Sequence, residues 1–228
     1  MKKRITLIGD VHGKYDQYVD IVNSHPFTVQ LGDFGLSQQW TKLEYSGIDK
    51  NNHKVIAGNH DDYDLCINSS HYIGDFGVHT MNGIEFFFVR GGISIDRVYR
   101  VGSELSGSKK SWWSQEELNF KQMCDCLDLY SIKKPSVVLS HVPPQIVIKS
   151  LTSNKGRNIL VNFKFHDGFC ENTSLLGNVM LEKHKPKVWI FGHHHCHFNA
   201  IIDDVHYVCL PELKTVDLEL RDGEYFLT

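Results

Sequence analysis

The chain has 228 residues, of which 41% are hydrophobic and 22% charged, a composition that supports a buried core and excludes a disordered or fibrous protein. With 24 Lys and Arg against 27 Asp and Glu, the formal net charge of -3 gives no overall electrostatic reason to expect nucleic acid or an anionic membrane, and leaves only a local basic groove open. The length fits one α/β domain over 1–228. Met1-Lys2-Lys3-Arg4 leads into a few apolar residues before Asp10, and no later apolar run is long enough to span a bilayer. A cytoplasmic protein without a membrane partner is therefore expected. The cysteines Cys66, Cys124, Cys126, Cys170, Cys196 and Cys209 are scattered and read as reduced, with Cys124-Asp125-Cys126 on a buried helix face. Fourteen histidines are the unusual feature.

Ile5 to Ile8 reads as a buried strand that stops at Gly9-Asp10-Val11-His12-Gly13. Side chains two apart in extended chain point the same way, so Asp10 and His12 can reach one ion from the strand's carboxyl edge. Tyr15, Tyr18, Val19 and Val22 recur at helical spacing and predict a crossover helix over 14–24. Phe27 to Leu31 is a second apolar run, ended by Gly32-Asp33-Phe34-Gly35. Lys54 to Ala57 is a third, ended by Gly58-Asn59-His60-Asp61-Asp62, which delivers an amide oxygen, an imidazole and two carboxylates into one turn.

Gly83 to Val89 predicts a further strand running into Arg90-Gly91-Gly92, and Ser103 to Ser111 a mobile loop. Ser114 and Glu117 stand at capping-box spacing and predict a helix through Leu129, packed on the core by Trp112 and Trp113. Arg90, Arg97 and Arg100 lie near the glycine pair, and Arg90 and Arg97 are the candidate phosphoryl contacts. Ser136 to Leu139 reads as a strand ended by Ser140-His141-Val142-Pro143-Pro144, where prolines fix a histidine at the strand end. Basic residues Lys149, Lys155, Arg157 and Lys164 mark an insertion rather than core. A helix over 177–185 and a strand over 187–191 follow, and the strand ends in Gly192-His193-His194-His195-Cys196-His197. Residues 201–227 read as a hairpin or meander, with Asp203-Asp204 and Asp222-Gly223 as turns.

Five strand ends thus carry Asp10 with His12, Asp33, Asn59 with His60, His141, and His193 with His195, and open α/β sheets bind ligands at such ends. The ordered set Gly-Asp-x-His, Gly-Asp, Gly-Asn-His-Asp, His, Gly-His-x-His, running from residue 9 to residue 195, resembles the calcineurin-like metallophosphoesterase family. The resemblance implies an α/β fold, a two-layer βαβ sandwich in α/β/β/α order, with a dimetal site at the strand C-terminal ends and insertions near 93–111 and 145–170 over that site. It implies Asp10, His12 and His195 on one ion, Asn59, His141 and His193 on the other, and Asp33 bridging. Metal-bound hydroxide would attack phosphorus in line, and His60 would protonate the leaving oxygen or steady the phosphoryl group. Candidates to orient His60 are Asp61, Asp64 and Asp75. Anchoring on Gly192 selects His193 and His195 over the equally spaced pair His195 and His197. His194 and His197 are left as outer groups. Mixed nitrogen and oxygen donors accept Mn, Fe, Zn, Co or Ni without choosing among them, and two divalent ions, manganese foremost and Mg also possible, are the expected cofactors.

Two departures separate the chain from the family's protein-phosphatase branch. Asp33 is followed by Phe34-Gly35 rather than an Asp-Arg-Gly or Asn-Arg-Gly turn, and His60 by Asp61 rather than Glu. The stretch 90–97 with Trp112-Trp113 is similar to bacterial and phage members. The expectation is a dimetal phosphoesterase acting on a phosphorylated small molecule, nucleotide or phosphoprotein. A nuclease or cyclic-nucleotide phosphodiesterase is the first alternative, and nucleic acid is a less favoured partner. A catalytically silent metal-binding scaffold is the second alternative, against which every ligand position is filled.

Overall fold

The computed structural model describes residues 3–153 and 171–228. Three short parallel strands, β1 (Lys3–Ile8), β2 (Thr28–Gln30) and β3 (His53–Val55), are each followed by a helix: α1 (Tyr15–Ser24), α2 (Ser37–Glu44) and α3 (Tyr63–Cys66). The chain then crosses to a second sheet through β4 (Phe76–Met81), β5 (Ile84–Val89), α4 (Arg97–Leu105), α5 (Phe120–Lys133), β6 (Val137–Ser140) and α6 (Gln145–Ser153). After α7 (Asn172–Lys183) come β7 (Val188–Phe191), β8 (Phe198–Ile202) and β9 (Val205–Cys209). The chain returns to the first sheet in β10 (Thr215–Arg221) and β11 (Glu224–Leu227). The sheet orders are β11-β10-β1-β2-β3 and β4-β5-β6-β7-β9-β8, with parallel pairing in β1-β2-β3 and β5-β6-β7-β9.

Alternation along the central strands explains why both sheets are covered on both faces. Ile5 and Leu7 of β1, Phe86 and Phe88 of β5, Leu139 of β6 and Ile190 of β7 meet in the core between the sheets. Their neighbours Phe87, Val138, Trp189 and Phe191 point the other way, into a second core with Cys126 and Tyr130 of α5 and Leu176 and Met180 of α7. A third core under α1 and α2 holds Ile8, Tyr18, Val22, Phe34, Trp40 and Leu43. Strands buried on both faces read as continuous apolar runs, the pattern seen in β5, β6 and β7. The order of layers is helix, sheet, sheet, helix, as the family resemblance implies.

Several elements differ from the sequence reading. Residues 103–111 are not all loop: α4 covers Arg97 to Leu105, held by the i,i+4 ion pair of Asp96 and Arg100 at 2.8 Å, although none of its residues is buried. The helix expected from Ser114 is only one 3₁₀ turn at Ser114–Glu116. The true helix, α5, starts behind Asn119, which forms a capping box with Gln122. Strand β4 was not foreseen, although its hairpin carries the Asn82-Gly83 signal, with both residues at positive φ (47° and 73°). The carboxyl-terminal stretch forms two hairpins in different sheets, β8-β9 and β10-β11, rather than one meander. Helix α6 packs Val147 and Leu151 into the second core instead of covering the strand ends, and 154–170, with Lys155, Arg157, Lys164 and Cys170, lies outside the described residues. The described cysteines are free, with Cys126 buried and Cys124 exposed on α5. Among the described residues no helix is long and apolar enough to cross a membrane.

Candidate metal centre

Loops leaving the carboxyl ends of β1, β2, β3, β6 and β7 converge at one edge of the sandwich. His12, Asp33, His193 and His195 all adopt left-handed backbone, with φ of 48°, 55°, 65° and 47°. Non-glycine residues there cost about 1–3 kcal/mol each and cluster where function demands a direction. This corrects the idea that strand alternation aligns Asp10 with His12: β1 ends at Ile8, and the turn at His12 swings the imidazole back. The loops are cross-tied. The N–H groups of Val11 and His12 donate to the Asp33 carbonyl at 3.1 and 2.8 Å, His60 N–H donates to Asp33 Oδ1 at 2.8 Å, and His193 N–H donates to Asp10 Oδ1 at 3.0 Å.

Two donor groups result, Asp10 with His12 and His195, and Asp33 with His141 and His193. In the first, His195 Nε2 stands 2.8 Å from Asp10 Oδ2 and 2.8 Å from His12 Nε2. In the second, His141 Nε2 lies 3.3 Å from Asp33 Oδ1, 3.2 Å from His193 Nδ1 and 3.0 Å from Asn59 Oδ1. The other oxygen of Asp33, Oδ2, faces His12 Nε2 at 3.8 Å, so one carboxylate addresses both groups.

The local field calls for positive charge. His141 is fully buried and burial alone would lower its pKa, yet the Asp33 carboxylate lifts it to about 10. Burial likewise works against the charged forms of Asp10 and Asp33. For Asp10, His12 and His195 overcome it, and for Asp33, His141 and His60 do, so both carboxyls titrate below the usual range. His193 is pushed well down by burial and by His194 and His141, which keeps it in the neutral form that binds metal. His141 Nδ1 is held by the Leu31 carbonyl at 2.8 Å, which aims Nε2 inward.

At three of the loops a glycine stands before the ligand because another strand's ligand occupies the space a Cβ would need, His141 at Gly32, Asp33 at Gly58 and Asp10 at Gly192. A Cβ at Gly58 would fall on Asp33 Oδ1, and one at Gly192 on Asp10 Oδ1. Asn59 is oriented by Ser94, a buried residue the sequence reading did not single out: Asn59 Nδ2 donates to Ser94 Oγ at 3.2 Å, leaving Oδ1 toward His141. Behind it, Glu171 accepts the Ile93 N–H at 2.9 Å and the Ser174 hydroxyl at 2.7 Å. Ser94→Ala is expected to weaken manganese binding at the Asn59 side by about 10–100-fold, the usual cost of losing an orienting partner, with the other site little changed. Two-site titration calorimetry reads this directly.

None of the three carboxylates expected to orient His60 does so. Asp61 accepts the N–H groups of Gly35 and Gly58 at 2.9 and 2.7 Å, Asp64 accepts from Lys110 and the Trp113 indole, and Asp75 pairs with Arg90. Burial and the nearby Asp33 carboxylate raise Asp61 to about 7. Buried Nδ1 of His60 has no hydrogen-bond partner among the described residues, and burial pushes the imidazole's pKa down. Arg90 does not line the pocket beside His12 and His60. It is 4% exposed, pairs with Asp75 at 2.5 Å, donates to the Gln115 carbonyl and lies 4.7 Å over the Tyr63 ring. Arg97 is exposed on α4, whereas Arg100, one turn further, lines a pocket of about 330 Å³ with His12, His60, Leu36 and Gln39. Arg100 stands with Arg90 and Arg97 in the sequence reading but is not chosen there as a phosphoryl contact, and its helical spacing from Arg97 is the signal that could have ranked it. His194 packs edge-on against His193 and Phe191, and neither it nor the exposed His197 is in a donor group.

The donors fit divalent ions. Bonds of about 2.0–2.2 Å from a metal to imidazole nitrogen and carboxylate oxygen place neighbouring donors about 3.0 Å apart in octahedral and about 3.4 Å apart in tetrahedral geometry. That matches most of the close donor–donor distances within both groups. Asp10 Oδ2 is buried and makes no hydrogen bond among the described residues although His195 Nε2 is 2.8 Å away, an arrangement of side chains aimed at a shared point rather than at each other.

Comparison with known proteins gives the same family. The pattern of the calcineurin-like phosphoesterases matches residues 3–197. The chain is 23% identical over 253 residues to the lariat debranching enzyme of Entamoeba histolytica, an alignment covering 92% of this chain and 69% of that one. Among solved structures, GAP50, the anchor in the inner membrane complex of Plasmodium, matches with a TM-score of 0.53 and 12% identity over 99% of this chain and 83% of that chain. A hypothetical protein from Thermus thermophilus matches with a TM-score of 0.50 and 12% identity, covering 99% and 97%. Identities this low speak to fold alone. The family pattern takes in every one of the converging loops, from Asp10 to His195, and the chain belongs to the calcineurin-like phosphoesterase family.

Proposed function

We propose that this phosphoric ester hydrolase works at a two-ion centre in which Asp10, His12 and His195 hold one ion, Asn59, His141 and His193 hold the other, and Asp33 is shared. The observation that carries the reading is Asp33, buried between the donor groups with Oδ2 toward His12 and Oδ1 toward His141. When bound, the ions supply a water of lowered pKa and positive charge opposite the phosphoryl oxygens. The remaining work falls to the chain. The cross-tied loops hold the donors in place before substrate arrives, so little reorganisation is needed during reaction. His60 lines the pocket beside His12 and donates its proton to the leaving oxygen in an in-line displacement. Burial disfavours its protonated form, and the negative charge of a bound phosphate works in the opposite direction. Arg100 at the same pocket neutralises a non-reacting phosphate oxygen.

Between ester classes, a phosphodiester is favoured, because one relative is named a lariat debranching enzyme and because the pocket beside His12 extends to Leu36, Gln39 and Arg100. The test is hydrolysis of nitrophenyl phosphate beside bis-nitrophenyl phosphate by metal-stripped protein resupplied with manganese. Metal-restored turnover, faster on the diester, is the expected result. Faster monoester cleavage would replace the diester reading with a phosphatase. No turnover of either ester by protein shown to hold manganese would overturn the assignment.

A further inference from the structure

We infer that the pocket at the metal centre opens into a second cleft that seats the continuing strand of a single-stranded nucleic acid, an inference that rests on the phosphoesterase reading above. The pocket of about 330 Å³ shares Leu36 and Gln39 with a larger cleft of about 890 Å³, so the two are adjoining parts of one surface. One phosphoryl group with a small leaving group would occupy the first and leave the second empty.

Charge in the larger cleft runs against that of the whole chain. Lys42 on α2 and Lys109 and Lys110 after α4 line it, in a protein of formal charge -3, and Arg100 at the pocket beside it is already paired with Asp96 at 2.8 Å. Lys110 is partly committed to Asp64 at 2.8 Å, whereas Lys42 and Lys109 have no carboxylate partner among the described residues. Glu44, the acid of α2, is taken up by Ser69 and Ser70. Tyr45 is 85% exposed and lines the same cleft, offering a flat ring beside the cations. Repeated cations beside an exposed aromatic ring suit repeated phosphates and stacking bases. A phosphopeptide would call for an open strand edge or side-chain pockets along the cleft, and its walls come from α2 and the stretch 109–110.

The test is fluorescence anisotropy with a labelled phosphorothioate oligothymidylate of about ten nucleotides, within the site sizes such grooves take, on the manganese-loaded protein. The double variant Lys42→Gln, Lys109→Gln is compared with wild type. Loss of two phosphate contacts should flatten the slope of log affinity against log salt by about 1.4, at about 0.7 per single-strand phosphate, and weaken binding by about tenfold or more at low salt. An unchanged slope and affinity in the double variant overturns the cleft assignment, as does a phosphoserine peptide of equal charge that binds wild type as tightly as the oligonucleotide. Wild-type hydrolysis of bis-nitrophenyl phosphate, run in parallel, keeps the two readings apart. If that ester is not cleaved and nitrophenyl phosphate is not either, the phosphoesterase reading fails. If either is cleaved and the double variant binds oligonucleotide like wild type, only the cleft fails.

Discussion

Asp33→Asn is expected to lower manganese-dependent ester hydrolysis by about a thousandfold or more while leaving the fold in place. Asparagine tolerates the left-handed backbone at φ 55° nearly as well as aspartate, so the turn survives and the charge is what is lost. That charge is the one shared between the two donor groups, and two cations held close together need it. Several kcal/mol of lost charge stabilisation, at about 1.4 kcal/mol per tenfold, amounts to three decades or more in rate. His195→Ala should also abolish turnover, since it removes a donor 2.8 Å from Asp10 and 2.8 Å from His12, whereas the exposed His197→Ala should not. Steady-state kinetics with titrated manganese, alongside circular dichroism to confirm folding, measures all three. Equal losses in the His195 and His197 variants would sink the register.

Arg90→Ala should cost about 3 kcal/mol of folding stability, because it removes one member of a largely buried ion pair. For a chain of this size that corresponds to a melting temperature lower by about 6–12 °C, read by calorimetry. Turnover of the folded enzyme should change little, since Arg90 contacts Asp75, the Gln115 carbonyl and the Tyr63 ring rather than the pocket. The loss should also depend on pH. Burial would raise the Asp75 carboxyl, but Arg90 outweighs it and leaves the folded-state pKa below its ordinary 3.8. A carboxyl lowered in the folded state adds stability that is complete above that value and is lost as the pH falls through the folded pKa. The gap between wild type and variant should therefore hold at neutral pH and narrow below about pH 4.

The donor loops were legible because each follows a short apolar run and opens with a glycine or, after β6, with Ser140-His141 fixed by two prolines, signals that survive in a linear string. What was not legible depended on contacts between distant segments. Ser114 with Glu117 and Asn119 with Gln122 share the same spacing, and nothing local separates them. The second pair won because Glu117 is drawn away to the start of α7, accepting the Thr173 N–H and the Asn172 amide at 3.1 Å each. Helix α4 was hidden by Gly102, Ser103 and the absence of a buried face, and with it the reason to choose Arg100 over Arg97. Asp61, next to His60 in sequence, looked like its partner, but the backbone N–H groups of Gly35 and Gly58 claim both of its oxygens.

The packing of Gly58 on Asp33, and of Gly192 on Asp10, means that the motifs are interlocked across the sheets rather than built one at a time. A larger side chain in the loop after β7 is blocked by the loop after β1, and one after β3 by the loop after β2. The recognition pattern can therefore drift only by paired changes, and a ligand loop transplanted alone into another scaffold would arrive without the neighbour that shapes it. Redesign of the centre for a different ion would have to exchange these loops as matched sets.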